Sequence, residues 1–595
     1  MKWWASGEGC WIRRLVGFLL LLAVFAAPAE AVVKPPAAEP TARGKGGAAA
    51  SVDPYATKAA ISVLRRGGTA VDAAVAAAAV LGVVEPFSSG IGGGGFMVVK
   101  TPRGGLKTFD GREFAPAAFT ETSLQENGAA IDFDEAVTSG LGVGVPGTPA
   151  TWELALRRFG SMPLSRALKP ATRLARKGFV VDETLQAQTE DNAERFIDFP
   201  ATARLYLPGG QPIQAGATLR NPDLADTMAL MAKRGVDQGF YRRAVAKDIV
   251  ATVRKPPVRE GATRTVRPGL MKVADLRAYR ALRRKAATTS YRGMRVAGMG
   301  PPSSGGTTVG ESLNIIEAFG EPAADSSETL YRYLEATRLA YADRSAYLGD
   351  PAFTDVPVGC LLSQPFADAR QRLIGETAAM SPVAAGECPM AEASTASESR
   401  EGPSTTHLTV ADRRGFVVSY TFTIEQTGGS AITVPGRGFL LNNELTDFSF
   451  DPGTPNSPAA RKRPRSSMSP TIVLRDGEPV LALGSPGGST IITTVLQILL
   501  NRYERGLSLP AALAAPRASQ RNSPTTDAEP AFITSPEAAG LIARGQMFTE
   551  IEGGELGAAA AVEIRDGGRF VASAEPERRG GGSAMVVRPA KRPGR

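Results

Sequence analysis

The feature that most constrains this chain is the stretch from Ser404 to Ile424. Val418, Tyr420, Phe422 and Ile424 alternate with Val417, Ser419, Thr421 and Thr423, the period of two expected where one face of a strand meets a core. Residues 405–411 precede it, and Asp412-Arg413-Arg414-Gly415 between the two runs reads as a turn, so the stretch predicts a β-hairpin. Pairing Ala411 with Phe416 across that turn brings Thr423 opposite Ser404 and Thr405 and sets two threonine hydroxyls side by side.

The hairpin also holds His407, the only histidine among 595 residues. A Ser-His-Asp or Cys-His site must therefore use His407, and a site built from several histidines around a metal is excluded. A hydroxyl nucleophile can instead be activated by the free α-amino group of its own residue, whose pKa lies at about 7.7–8.0. That arrangement requires the chain to be cut immediately before the nucleophile.

The run Thr-Thr-His-Leu-Thr-Val-Ala-Asp at 405–412, Ser-Tyr-Thr-Phe-Thr at 419–423, Gly-Phe-Leu-Leu-Asn-Asn-Glu at 438–444 and Asp447-Phe448 resemble the small-subunit start of the γ-glutamyltranspeptidases. The likeness extends upstream to residues 85–96, to Gly111-Arg112-Glu113 with Ala115-Pro116, and to Pro-Pro-Ser-Ser-Gly-Gly at 301–306. Downstream it takes in residues 462–470 and Gly-Ser-Pro-Gly-Gly at 484–488. It covers nearly the whole chain in family order, although each motif alone is weak. It implies an α+β, N-terminal-nucleophile hydrolase: a four-layer αββα sandwich with two antiparallel sheets between helical layers.

The resemblance further implies cleavage between Ser404 and Thr405, giving a large piece, 32–404, and a small piece, 405–595, with Thr405 as nucleophile and Thr423 bonded to it. Arg112, Ser466 and Ser467 correspond to the residues that hold the substrate α-carboxylate; a guanidinium fork suits a carboxylate. Glu425, Glu444 and Asp447 correspond to the amine-binding positions. Gly487 and Gly488 precede a predicted helix, where N–H groups make an anion site, and are assigned to the oxyanion. His407 shares the Thr405 face and is read as structural or as assisting cleavage. Glutathione-like γ-glutamyl amides are the expected donors, water or amino acids and peptides the acceptors, and no metal or organic cofactor is needed.

Two departures stand out. Glu425 replaces an asparagine common in the family, and the loop between Asp447 and Ser466 is shorter than in relatives with a substrate-covering lid, which suggests an open site. Three rival readings remain: a dicarboxylic acylase of the same superfamily, an enzyme that depolymerises poly-γ-glutamate, and a catalytically dead binding protein of the same fold.

The rest of the chain is read as its frame. Lys2, Arg13 and Arg14 precede an apolar run at 15–27, and Ala29-Glu30-Ala31 fits a cleavage site, so residues 1–31 read as an export signal; the run falls short of the ~20 residues of a spanning helix, and no stable membrane insertion is expected after its removal. The protein is expected in the periplasm or outside the cell. Length alone suggests about four domains of ~150 residues, whereas the resemblance implies one unit of two interlocked pieces. Residues 33–51 and 382–403 read as exceptions to an otherwise well-buried chain, the second as a flexible approach to the cut. The net charge of +9 comes with no nucleic-acid-binding motif and reads as a solvated basic surface, with no nucleic-acid partner. Cys360 and Cys388 remain after export; whether they bridge is left open. Helices are predicted at 56–66, 71–83, 148–159, 165–177, 243–253, 310–319 and 328–348. Strands are predicted at 96–100, 106–110, 438–443, 471–474 and 480–484, and the glycine run at 90–95 reads as a tight backbone crossing.

Overall fold

The computed structural model describes residues 32–590 apart from Ala324, Met390, Glu392, residues 395–400 and Pro403. The export signal, Cys10 and much of the approach to the cut lie outside the described residues. We number only the strands of the main sheet and the helices that cover it. In chain order these are β1 (Thr41–Ser51), α1 (Pro54–Arg65), α2 (Ala70–Val84), β2 (Gly94–Lys100), β3 (Leu106–Asp110), α3 (Thr148–Phe159), α4 (Leu164–Lys177), β4 (Ala287–Tyr291), β5 (Met294–Gly298), α5 (Gly305–Glu317) and α6 (Ser326–Tyr347). They continue with β6 (Thr406–Asp412), β7 (Val417–Thr423), β8 (Thr471–Arg475), β9 (Glu478–Gly484), α7 (Ile491–Tyr503), β10 (Ala560–Arg565), β11 (Arg569–Ala574) and β12 (Ser583–Pro589).

The strands run in the order β3-β2-β7-β6-β1-β11-β10-β9-β8-β5-β4, and β12 also pairs with β1. All of these pairings are antiparallel. The expected pair of sheets is thus one hydrogen-bonded sheet folded double, and the fold occurs in β1. Its first half, Thr41–Lys45, pairs with β11 and its second half, Gly47–Ser51, with β6. Between them Gly46 and Gly47 take φ of +89° and +131°, which glycine adopts without a Cβ penalty, and the register against β12 shifts there. The stretch 33–51, expected to be an exception to the buried chain, thus supplies the central strand. Its small side chains fit because both of its faces are covered: Ala48, Ala49 and Ala50 are buried.

Alternation sorts the remaining side chains into layers. Met97, Val99, Leu408, Val410, Tyr420 and Phe422 point to the core shared with α1, α2, α3 and α4, whereas Phe96, Val98, Ala48 and Ala50 point to the other half of the sheet. Helix α2 is buried along its whole length and α1, α4 and β6 pack against it, a density its six alanines in the run 73–79 permit. On the far side α5 covers β4 and β5, and α7 packs on β9. The four-layer αββα arrangement follows. No helix among the described residues is long and apolar enough to cross a membrane. Cys360 and Cys388 form a disulfide, with Cα atoms 5.9 Å apart. Exposed Lys58, Arg66, Arg166, Lys169 and Arg173 on α1 and α4 line one surface groove, one of the places where basic side chains meet on the surface.

The hairpin forms with a register one residue from the expected one: Ala411 faces Val417 and Thr406 faces Phe422. The Asp412 carboxylate accepts from the N–H groups of Arg414 (2.7 Å) and Phe416 (3.1 Å), which lengthens the turn and puts Thr405 alone opposite Thr423. The predicted strand at 438–443 is instead irregular: it meets residues 430–434 through the bridge Thr433 to Leu440 and a few hydrogen bonds. Gly438, at φ +72° against Asn221, is incompatible with a regular strand there.

Between the two halves of the sheet, polar side chains satisfy one another. Ser419 Oγ donates to Leu483 O at 2.9 Å and Thr409 Oγ1 to Ala560 O at 3.3 Å. The His407 ring lies against Gly484, with Nδ1 2.8 Å from Thr421 Oγ1 and Nε2 2.9 Å from Thr409 Oγ1. Burial pushes its pKa down to about 3, so the imidazole is neutral and structural. In the unfolded chain the same ring titrates near 6.5, so between about pH 6.5 and 3 the unfolded state binds the extra proton and stability falls as pH drops. Replacing His407 with Gln should flatten the dependence of unfolding free energy on pH over that interval by about 1.4 kcal/mol per unit, measured by urea titration at several pH values. Parallel slopes for the two proteins would refute the assignment.

Candidate active site

Ten of the eleven residues singled out from the sequence line one small cavity: Arg112, Ser404, Thr405, Thr423, Glu425, Glu444, Asp447, Ser466, Ser467 and Gly488. Gly487 stands one residue behind, against Gly557, at φ +135°. Gly488, at φ +55°, opens a short 3₁₀ turn that runs into α7, so the predicted helix start is present.

The end of β7 supplies the centre. Thr405 Oγ1 lies 3.2 Å from Thr423 Oγ1 and 2.5 Å from the carbonyl oxygen of Ser404, and Thr423 Oγ1 donates to that same oxygen at 2.8 Å. Two hydroxyls therefore converge on the carbonyl that precedes Thr405. The neighbouring glycine run explains how a strand fits so close: a Cβ at Gly93 would lie 1.9 Å from Thr423 O, and one at Gly92 2.0 Å from Leu440 O. The run is the backbone crossing its sequence suggested.

Thr405 is held from behind by Arg579, to which no sequence motif pointed, and by Phe87 and Ser88 of the 85–96 stretch. Arg579 donates to Thr405 O (2.9 Å) and to Ser88 Oγ (2.7 Å), and Ser404 Oγ donates to Phe87 O at 3.0 Å. Arg579 has a left-handed backbone, φ +54°, and its Arg-Arg-Gly context gives no motif. Similarly, residues 301–306, read only as a turn, brace the serine pair: Ser304 N and Oγ both donate to Ser466 O, at 2.7 and 2.9 Å, and Ser303 Oγ donates to Met468 O at 2.8 Å.

The charged wall is knit by Arg112. Its Nη1 pairs with Glu444 and its Nη2 with Asp447, while Nε donates to Pro464 O (3.1 Å) and Nη2 also to Arg465 O (2.7 Å). Glu425, at φ +82°, turns off the end of β7 so that its carboxylate meets Asn443 Nδ2 and Gly402 N. Burial, and then Asp447, pushes the Glu425 carboxyl well above the usual carboxylate range. Burial raises Asp447 to about 7 against the lowering effect of Arg112. Glu113, behind Arg112, rises to about 8 by burial.

Glu401 and Gly402 also line the cavity and fill it in the continuous chain, leaving a space of about 10 Å³, of the order of one water. A carbonyl flanked by two hydroxyls, beside buried acids and guanidiniums, is suited to acyl transfer to a hydroxyl from a substrate that carries both an ammonium and a carboxylate. Because an unpaired buried charge is costly, replacing Arg112 with Met should destabilise the fold by about 3–5 kcal/mol, measured by denaturant unfolding; a loss below about 1 kcal/mol, the range of exposed pairs, would contradict the buried geometry.

Comparison with known proteins agrees with this chemistry. The family described as Gamma-glutamyltranspeptidase matches residues 56–585. The "Glutathione hydrolase proenzyme" of Bacillus subtilis (strain 168) is 41% identical over 485 residues, covering 80% of each chain. That of Escherichia coli (strain K12) is 38% identical over 493 residues, covering 80% of this chain and 81% of the relative. Among solved structures, cephalosporin acylase from Bacillus halodurans superposes with a TM-score of 0.80 at 28% identity, covering 94% of this chain and 99% of the other.

Proposed function

The chain belongs to the γ-glutamyltranspeptidase family, and from that membership and the cavity we propose that it is an exported enzyme that cuts itself before Thr405 and then transfers or hydrolyses the γ-glutamyl group of glutathione-like amides. The observation that carries the reading is the convergence of Thr405 and Thr423 hydroxyls on the Ser404 carbonyl. Attack by Thr405 Oγ1 on that carbonyl carbon breaks the C–N bond, and the hydroxyl proton passes to the departing nitrogen. Thr423, donating to the carbonyl oxygen, stabilises the negative charge that develops there. Water then hydrolyses the resulting ester and leaves Thr405 with a free α-amino group.

In the cut enzyme that amine is the base for the Thr405 hydroxyl. The hydroxyl attacks the γ-amide, with the N–H groups of Gly487 and Gly488 facing the oxyanion, a contribution of about 3 kcal/mol per donor. The amine leaves, and water or an amino acid or peptide resolves the γ-glutamyl ester. Glu425, Glu444 and Asp447 hold the donor's ammonium, and Ser466 and Ser467, with Arg112, its carboxylate. Residues 32–404 and 405–595 are the two subunits of this scheme.

The structural likeness to a cephalosporin acylase favours a second reading, an acylase for dicarboxylic side chains. A glutaryl group brings no ammonium to the three carboxylates, which argues for the γ-glutamyl donor. Turnover of γ-glutamyl p-nitroanilide well above that of glutaryl p-nitroanilide is expected; the reverse order would select the acylase. On a denaturing gel the wild-type protein should give two fragments, the smaller beginning at Thr405 by N-terminal sequencing, and Thr405→Ala should remain whole and inactive. An active, unbroken wild-type chain would sink the mechanism.

The acids also set a pH dependence. Asp447 must be ionised to hold an ammonium, and departure of Glu401 removes a neighbour that raises it. The rate constant kcat/KM should therefore rise with pH through a titration at or below about 7, and this limb should be altered in Asp447→Asn. Superimposable pH profiles would remove Asp447 from donor binding.

A further inference from the structure

Three acids far apart in the chain meet near Arg579. Asp53 caps the start of α1, Glu85 follows the end of α2, and Asp182 caps the helix Glu183–Phe196. One carboxylate oxygen from each lies within 4.8 Å of the other two. That spacing suits calcium, which binds oxygen at about 2.3–2.6 Å, so that ligand atoms on one ion stand no more than about 5 Å apart. Magnesium, with bonds of about 2.0–2.1 Å, requires a tighter set.

Two of the acids are fixed by capping bonds: Asp53 Oδ1 accepts from Ala56 N at 3.0 Å and Asp182 Oδ1 from Leu185 N at 2.8 Å. Glu85 has no such anchor. It is 8% exposed, yet its carboxylate makes no hydrogen bond or ion pair with any described residue, and it points at the other two acids. A buried carboxylate left in that state is costly. Burial, and then Asp182, push its pKa up to about 8. Arg579 opposes that rise from a distance, but its Nη1 and Nη2 donate to Thr405 O and Ser88 Oγ. Three carboxylates and one guanidinium leave two negative charges, which one divalent cation cancels. Glu183 and Glu555, which act on Asp182 and Arg579, are exposed and screened by water and salt.

We infer that Asp53, Glu85 and Asp182 form a binding site for one calcium ion. Each acid gives the ion an oxygen, and water completes the coordination from the side of Asp182, which is exposed. The ion ties together the loop before α1, the end of α2 and the start of the helix at 183. All three ligands precede the Ser404–Thr405 bond and so belong to one piece of the chain. No step of the acyl transfer passes through the ion, and the inference does not depend on the γ-glutamyl reading. Its contribution is to stability, because an ion that binds the folded chain and not the unfolded one shifts the equilibrium by mass action.

Calorimetry tests this. The chelator-treated protein, titrated with calcium chloride to about 10 mM so as to cover the weak range of calcium sites, should bind the ion, and magnesium chloride should bind more weakly. Glu85→Gln should lower the calcium affinity about tenfold or more, since even residues outside the ligand shell of a metal cost that much. Asp182→Asn changes an exposed side chain, keeps the helix cap and should lower the affinity likewise, which decides the matter should Glu85→Gln fail to fold. Thermal unfolding gives an independent readout: Tm should rise with calcium concentration in the wild type and rise less in either variant. No calcium binding over that range, an affinity unchanged in a folded variant, or tighter binding of magnesium would overturn the assignment.

Discussion

The site depends on keeping one guanidinium out of water. Arg112 sits at the end of the turn after β3, Glu444 and Asp447 in the short turn after the irregular segment at 438–443, and the carbonyls of Pro464 and Arg465 just before the serine pair. Three segments far apart in the chain converge because each supplies part of the compensation that a buried cation requires. Arg112 comes from before the Ser404–Thr405 bond and its partners from after it. The contact therefore also fastens the two prospective fragments to each other, as do the pairing of β6 with β1 and of β7 with β2. None of these strand pairings runs through the Ser404–Thr405 bond itself.

The same strand pairings place Thr405. Thr405 immediately precedes β6, whose outer neighbours fix it on both sides, and Thr423 ends β7 directly opposite. The geometry needs a strand approach that only glycine at 92–95 allows, and polar residues between the sheet halves that satisfy one another. His407 illustrates the second requirement. As the only histidine it was the natural candidate for a base, yet its two nitrogens are taken by threonine hydroxyls and burial keeps it neutral. It secures the layer behind the site.

Much of this was legible in the sequence, and the failures have local causes. The alternation of 417–424 showed the strand and its faces, and the family motifs pointed to the residues that meet in the cavity. The register slipped by one because Asp412 bonds two backbone N–H groups across the turn, a side-chain effect that strand periodicity does not report. The strand β1 was missed because alanine and glycine carry weak strand signals; they are required there by close packing on both faces. Arg579 carried no motif, since periodicity describes where a side chain starts and not where a long one ends. Glu401 lay in a stretch whose composition reads as linker, and only its contacts place it at the cavity.

Charge balance gives the cavity its direction. In the continuous chain Glu401, Glu425, Glu444 and Asp447 face Arg112 and Arg344, and burial relieves the excess by favouring protonated Glu425 and Asp447. Withdrawal of Glu401 would leave Glu425, Glu444 and Asp447 around Arg112. In the γ-glutamyl reading, a ligand ammonium beside these acids lets Glu425 and Asp447 ionise. A glutamate carboxylate at 425, where an amide is common in the family, strengthens this coupling, because an amide has no proton to lose. Donor binding is then accompanied by proton release, which a group without an ammonium does not bring about.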